Sequence, residues 1–246
     1  MAKSLAVILA GGDPKEKLRQ DAGLSSKALL EIQGKPLVGY VLTAFQQAGF
    51  ESILIGDDHP KLKDLYLQRY DPQASYLENL RQGLEMAIAL GAEKIFISTC
   101  DLFWLKAEDI LALQKAAQAY PQAGFIYPIM TRQMVEKTFP EQKRSYAKLK
   151  EGEFTGASVV VVDKNIIPQL LNRAEQAYQS RKSLIAFAML LGFKISLNFL
   201  LKRLSISQVE GRIGTLLRAE VKALLVDRPA LAIDVDELEH LNAAQN

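Results

Sequence analysis

Two consecutive glycines, Gly11 and Gly12, close the apolar run "LAVILA" that begins at Leu5. A glycine pair costs chain entropy and leaves nothing to pack, so it belongs where the backbone turns sharply or lies against something. At the carboxyl end of a parallel strand, bare backbone lets N–H groups approach a phosphate more closely than a Cβ would permit. Simply ending the strand is the plainer alternative. The spacing excludes two well-known phosphate motifs: no G-x-G-x-x-G follows, and no Lys-Ser/Thr pair stands where a P-loop requires it. Asp101 is the second residue with chemical promise. It follows "KIFIST" (94–99), at the end of a strand where carboxylates are displayed towards ligands. Capping the next turn is the alternative task for it. Cys100, one residue earlier, points the other way by strand alternation and reads as a small buried side chain. His59 and His240 lie in polar surroundings, form no triad with a nucleophile, and read as surface residues.

The totals narrow the field. With 246 residues, 49% hydrophobic and 24% charged, the composition is that of an ordinary globular protein with ample core. Thirty basic against 28 acidic residues give a net charge of +2, no electrostatic reason to expect a nucleic-acid partner. A single cysteine rules out an intrachain disulfide and any cysteine-rich zinc site, and suits a reducing, cytoplasmic setting. The opening apolar run is too brief for a signal peptide and reads as a first strand.

Apolar runs alternate with segments of helical period. Strands are expected at 5–10, 52–56, 94–99, 125–129, 158–162, 221–226 and 230–235. Helices are expected from Pro36 to about Gly49, over 77–90, 106–120 and 166–178, and through 182–217. A polar, basic connector separates 129 from 158. This order predicts one α/β domain with a mostly parallel sheet, helices on both faces, and a helical insertion at about 182–217. Residues 184–201, "LIAFAMLLGFKISLNFLL", approach the length that spans a bilayer, but Lys194 and Asn198 interrupt them. Two core-packing helices joined near Gly192 are expected there; a helix lying on a membrane surface is the alternative.

Further pieces carry a family resemblance. "LAGG", a loop, and then "KALLEIQGKPLVGYVL" from Lys27 resemble the nucleotidyltransferase superfamily, nearest its molybdenum-cofactor guanylyltransferase-like branch. "ENLRQGL" (78–84), "FISTCDLFWL" (96–105), "FTGASVVVVD" (154–163) and "AIDVDELEHL" (232–241) follow in the expected order. The resemblance implies a three-layer α/β/α Rossmann-like fold. It also implies attack of a phosphate oxygen on the α-phosphorus of a nucleoside triphosphate, with release of pyrophosphate and with Mg²⁺ sharing the charge.

Roles follow from that resemblance. Leu9, Ala10, Gly11 and Gly12 would supply backbone contacts to base and phosphates, and Lys27 would contact phosphate oxygens; a solvated loop lysine is the alternative. Asn79 and Gly83, four apart on one helix face, would meet base and ribose, unless they only form an exposed polar face. Asp101 would bind Mg²⁺, with Asp234 preferred over Asp236 as second ligand because Asp236 and Glu239 resemble a helix cap. Arg144, among Lys137, Lys143, Lys148 and Lys150, would face a phosphorylated small-molecule acceptor near Thr155 and Gly156; a solvated charged loop is the alternative. Lys35 reads as structural or peripheral. The family's G-x-G-x-R is not reproduced in "GGDPKEKLRQDAGLSSK", where Arg19, Lys15 and Lys17 are the nearest cations. That departure keeps a catalytically silent nucleotide-binding protein as an alternative, beside a peripheral membrane enzyme acting on a lipid precursor. The 182–217 stretch would cover the acceptor pocket, form a homodimer contact or touch a membrane.

Overall fold

The computed structural model describes residues 3–11, 26–142, 144–180 and 192–235. Strand β1 (Ser4–Leu9) is almost wholly buried, as an apolar run in the middle of a sheet must be. It pairs in parallel with β4 (Glu51–Ile55) on one side and β6 (Lys94–Thr99) on the other. Between β1 and β4 come the small hairpin β2 (Glu31–Ile32) and β3 (Lys35–Pro36), then α1 (Leu37–Gln47), entered through Pro36. β5 (Gln68–Tyr70) extends the sheet beyond β4, and α2 (Tyr76–Ala89) leads back to β6. α2 is capped by the Ser75 hydroxyl, which accepts from the Glu78 amide, and stops at Gly91, whose φ of 82° suits glycine.

Beyond β6 the chain runs through α3 (Ala107–Ala117), β7 (Ala123–Thr131), α4 (Arg132–Thr138), β8 (Ala147–Leu149), β9 (Gly152–Gly156) and β10 (Val159–Asp163). It ends with α5 (Ile167–Ser180), α6 (Phe193–Leu200), α7 (Ile206–Leu217) and β11 (Glu220–Leu225). The sheet order is β5-β4-β1-β6-β10-β7-β9-β8, with β11 also beside β7. It is parallel from β5 to β6 and mixed beyond, where β10 runs against both β6 and β7.

Strand alternation divides the core in two. Ala6, Ile8, Leu54 and Phe96 face α1 and α3, packing on Val41, Phe45, Ile110 and Leu113. Leu5, Val7, Ile53 and Ile95 face the other way, onto Leu80 and Leu84 of α2 and Ile167 and Leu171 of α5. The result is the expected three-layer α/β/α arrangement.

Three sequence expectations are corrected. Residues 230–235 do not form a strand: a 3₁₀ turn (Pro229–Leu231) precedes a segment outside the sheet ladders. Leu231, Ala232 and Ile233 are all fully buried, so the run fills core continuously instead of alternating between faces. The basic connector is not one loop, since it builds α4 and the β8–β9 hairpin, both against β7. Finally, α6 has no buried residue and so does not fill the core. The rest of the 184–201 run, up to residue 191, lies outside the described residues. No helix among the described residues is long and apolar enough to cross a membrane.

Candidate functional site

The connections place a crevice at one end of the sheet. From β1 the chain passes outward through β4 and β5, then returns across to β6, so the direction of winding reverses between β1 and β6. Open α/β sheets bind ligands at such a reversal, beyond the carboxyl ends of the strands. Leu9 pairs with Thr99, so Gly11 and Asp101 leave adjacent strands two residues later, at the same end.

Gly11 lacks a side chain for a steric reason. A Cβ there would lie 2.9 Å from the Cβ of Pro72 and collide with the Asn79 side chain. Asn79 is buried, not an exposed polar face, and its Oδ1 accepts from the Gln73 amide at 2.6 Å. The Asn79 side chain thus fixes the 71–74 loop against the end of β1. Gly83, one turn along, lies under β1, where a Cβ would strike Val7. It is a close-packing position between helix and strand. Gly12 lies outside the described residues, as do Lys15, Lys17, Arg19, Lys143, Asp236 and His240.

Ser26, absent from the sequence reading, returns the chain to this point. Its hydroxyl donates to the Ala10 carbonyl at 2.9 Å and accepts from the Ala28 amide, capping the 3₁₀ turn Lys27–Leu29. A serine directly before "KALL" is the sequence sign of such a cap. Docked this way, Lys27 is buried, not solvated, and its Nζ donates to Asp101 Oδ2 at 2.9 Å. The other carboxylate oxygen, Oδ1, is buried with no hydrogen-bond partner among the described residues. A buried anionic oxygen without a donor is costly, and a ligand is the ordinary compensation.

The second acid arrives beside the first. The Val235 amide donates to the Asp101 carbonyl at 3.0 Å, which seats Asp234 next to the end of β6. Its Oδ1 accepts from Arg144 Nη1, joining the expected metal ligand to the expected acceptor-binding arginine. Arg144 Nε is buried without a hydrogen-bond partner among the described residues. Thr155 is buried opposite Met130, and Gly156 pairs with Ile129. The Tyr127 ring covers Gly156, filling the place of a Cβ. Tyr127 remains 39% exposed, yet partial desolvation pushes its phenol above its ordinary pKa, and the Arg144 charge pulls in the opposite direction. Sequence reasoning missed Tyr127, although its alternation with Phe125 in "FIYPI" marks the shared face.

Other cations are engaged elsewhere. Lys35 donates to Thr43 Oγ1 at 2.5 Å, a structural task, and Lys148 pairs with Glu153 at 3.1 Å. His59 caps the turn Pro60–Leu62. At the carboxyl end of β7, a shallow hollow of about 610 Å³ lies between α4 and the β8–β9 hairpin, its Arg132 already paired with Glu136 and Glu153. No cluster of three or more His, Cys, Asp or Glu able to hold a metal occurs among the described residues. Two carboxylates are nevertheless a usual protein share for Mg²⁺, which takes its remaining ligands from phosphate and water. The unpartnered Oδ1 of Asp101 fits that requirement.

Residues 6–188 match the model of the MobA-like NTP transferase domain. The chain belongs to that family. Its structure is similar to a hypothetical transferase from Thermus thermophilus, at 35% identity and a TM-score of 0.86 over 98% of this chain and 100% of the other. At 17% identity, two further structures share the fold. One is a CMP:2-keto-3-deoxy-manno-octonic acid synthetase complexed with CTP, with a TM-score of 0.59 over 99% of this chain and 97% of the other. The second is 2-C-methyl-D-erythritol 4-phosphate cytidylyltransferase, also from Thermus thermophilus, with a TM-score of 0.54 over 97% and 96%. No curated protein sequence matches the chain significantly. Both the family and the Rossmann-like nucleotidyltransferase fold agree with the sequence resemblance.

Proposed function

We propose that this chain transfers a nucleoside monophosphate from a nucleoside triphosphate to a phosphorylated small-molecule acceptor. An acceptor phosphate oxygen bonds to the α-phosphorus, the bond from that phosphorus to the β-phosphate bridging oxygen breaks, and pyrophosphate leaves. The observation that carries the reading is the buried Lys27–Asp101 pair at the winding reversal, with Asp101 Oδ1 lacking a donor among the described residues. Such chemistry consists mainly of positioning and of neutralising phosphate charge. The ends of β1 and β6 offer both.

Asp101 and Asp234 would hold a Mg²⁺ ion. When bound, that ion supplies charge neutralisation and orientation at the triphosphate. Lys27 is held at the mouth of β1 by Ser26 and Asp101, so its ammonium needs no reorganisation to meet a phosphate oxygen. Arg144, tethered by Asp234, presents a planar cation suited to a phosphomonoester. The backbone from Leu9 to Gly11 borders the same end, with Asn79 fixing its path. Likeness to a synthetase that was solved with CTP supports a nucleotide in the crevice.

Incubation with each of the four nucleoside triphosphates and a panel of phosphomonoesters, following pyrophosphate, tests the proposal. Release with at least one pair, dependent on Mg²⁺, is expected. No release and no triphosphate binding by calorimetry would sink it. A second reading, a nucleotide-binding protein without turnover, is favoured by the missing arginine after the glycine pair. Tight binding without pyrophosphate would select that version.

A further inference from the structure

The helix whose sequence suits a core has its apolar side in solvent. Phe193 is 80% exposed and Leu200 77%, with Leu197, Phe199 and Leu201 also exposed. Phe193, Leu197 and Leu200 stand at i, i+4 and i+7, one stripe along α6. A solitary exposed leucine is ordinary, but a contiguous stripe marks a surface that meets something.

Charge identifies what it meets. From Gln176 to Val209 the sequence holds no Asp or Glu, yet carries Arg181, Lys182, Lys194, Lys202 and Arg203. In a chain with a net charge of only +2 this is a marked local excess. Lys194 flanks the stripe, and exposed Lys202 and Arg203 stand at its far end. The neighbouring helix adds Arg212, whose guanidinium lies beside Gly192 at the entry to α6. Nearby acids are engaged: Glu210 accepts from the Ala223 amide at 2.8 Å, and Glu151 accepts from the Ile206 amide.

We propose that this face docks on an anionic lipid bilayer. α6 would lie in the interfacial plane, with Phe193, Leu197 and Leu200 at the acyl boundary and Lys194, Lys202 and Arg203 against headgroups. Eight residues make a helix of about 12 Å, far short of a ~30 Å hydrocarbon core, so the helix lies on the membrane and does not span it. A two-fold contact between copies through this stripe would set the same cations against one another, which favours lipid over self-association.

Sedimentation of the full chain with vesicles tests the assignment without reference to catalysis. Binding is expected to phosphatidylcholine vesicles containing phosphatidylglycerol, not to phosphatidylcholine alone, and to weaken with salt. The double variant Phe193→Ser, Leu200→Ser replaces exposed side chains, so its circular dichroism should match the parent while vesicle affinity falls about tenfold or more. Lys202→Gln and Arg203→Gln should each lose about fivefold. Absence of binding to the anionic vesicles overturns the proposal. So does equal binding by parent and double variant. A parent dimer that the double variant dissociates, without vesicle binding, overturns it in favour of a second copy.

Discussion

The two ion pairs at the crevice are built in opposite ways. Lys27 and Asp101 join a capped turn to the end of a central parallel strand, and their side chains are only 4% and 15% exposed. Arg144 and Asp234 join two segments without regular structure, and theirs are 19% and 25% exposed. The first pair sits on backbone whose position the sheet dictates. The second is held by the amide contact from Val235 to Asp101 and by core packing of Leu231 to Ile233. A rigid pair presents charge in a fixed place, whereas a pair on irregular segments can exchange its partner for an incoming phosphate at lower cost. On the function proposed above, the contrast suits the first pair to the triphosphate and the second to the acceptor.

The largest expected effect separates chemistry from stability at the first pair. Asp101→Asn preserves volume and should lower turnover by about 10³-fold with little change in the folded spectrum. Retained pyrophosphate release would remove Asp101 from its role. Stability is next. Lys27→Ala leaves the Asp101 charge buried and uncompensated, and should cost about 3–5 kcal/mol by urea denaturation. Arg144→Ala, at the more exposed pair, should cost about 1 kcal/mol. Equal losses at the two sites would erase the distinction between them. A smaller effect tests the glycine. Gly11→Ala forces a methyl against Asn79 and Pro72 and should cost about 1–3 kcal/mol. Adding Asn79→Ala should recover part of that loss, because the colliding amide is gone.

The same contrast explains what the sequence makes legible. β1, β4 and β6 announce themselves because strands buried on both faces read as unbroken apolar runs. Asp101 is legible because it stands two residues beyond the end of one of them. Lys27 is legible in the motif, but its burial depends on Ser26 reaching back sixteen residues to Ala10, which no periodicity encodes. The 230–235 segment misleads because an apolar run with a β-like composition serves equally as irregular core filling. The sequence therefore places Asp234 on a strand, and the structure instead sets it on an irregular segment beside the end of β6. Gly11 and Gly83 show the limit more sharply. Both read as ligand contacts, yet the neighbours that forbid a side chain, Asn79 and Val7, lie far along the chain. Tertiary proximity of that kind is invisible to local pattern. α6 marks the opposite limit, since hydrophobic period alone cannot tell a helix facing the core from one whose apolar side is exposed.

The smallest effect reports on the acceptor side through Tyr127. Although the residue is 39% exposed, desolvation of its phenol holds the group above the usual tyrosine value, while the Arg144 charge works against that rise. The proton is therefore bound more tightly in the folded chain than in the unfolded one. The sign follows directly: this contribution to stability is fully present below the unfolded value of about 10, and is lost as pH rises through the folded value. Ultraviolet titration at the phenolate band, with Tyr127→Phe to assign the signal, should show a tyrosine ionising late. Arg144→Gln should delay it further, because the opposing charge is gone. If Arg144→Gln instead leaves the titration of Tyr127 unmoved, Arg144 is screened from the face that covers Gly156. The second pair would then no longer share a site with Thr155 and Gly156, and the acceptor would have to be sought nearer Lys27.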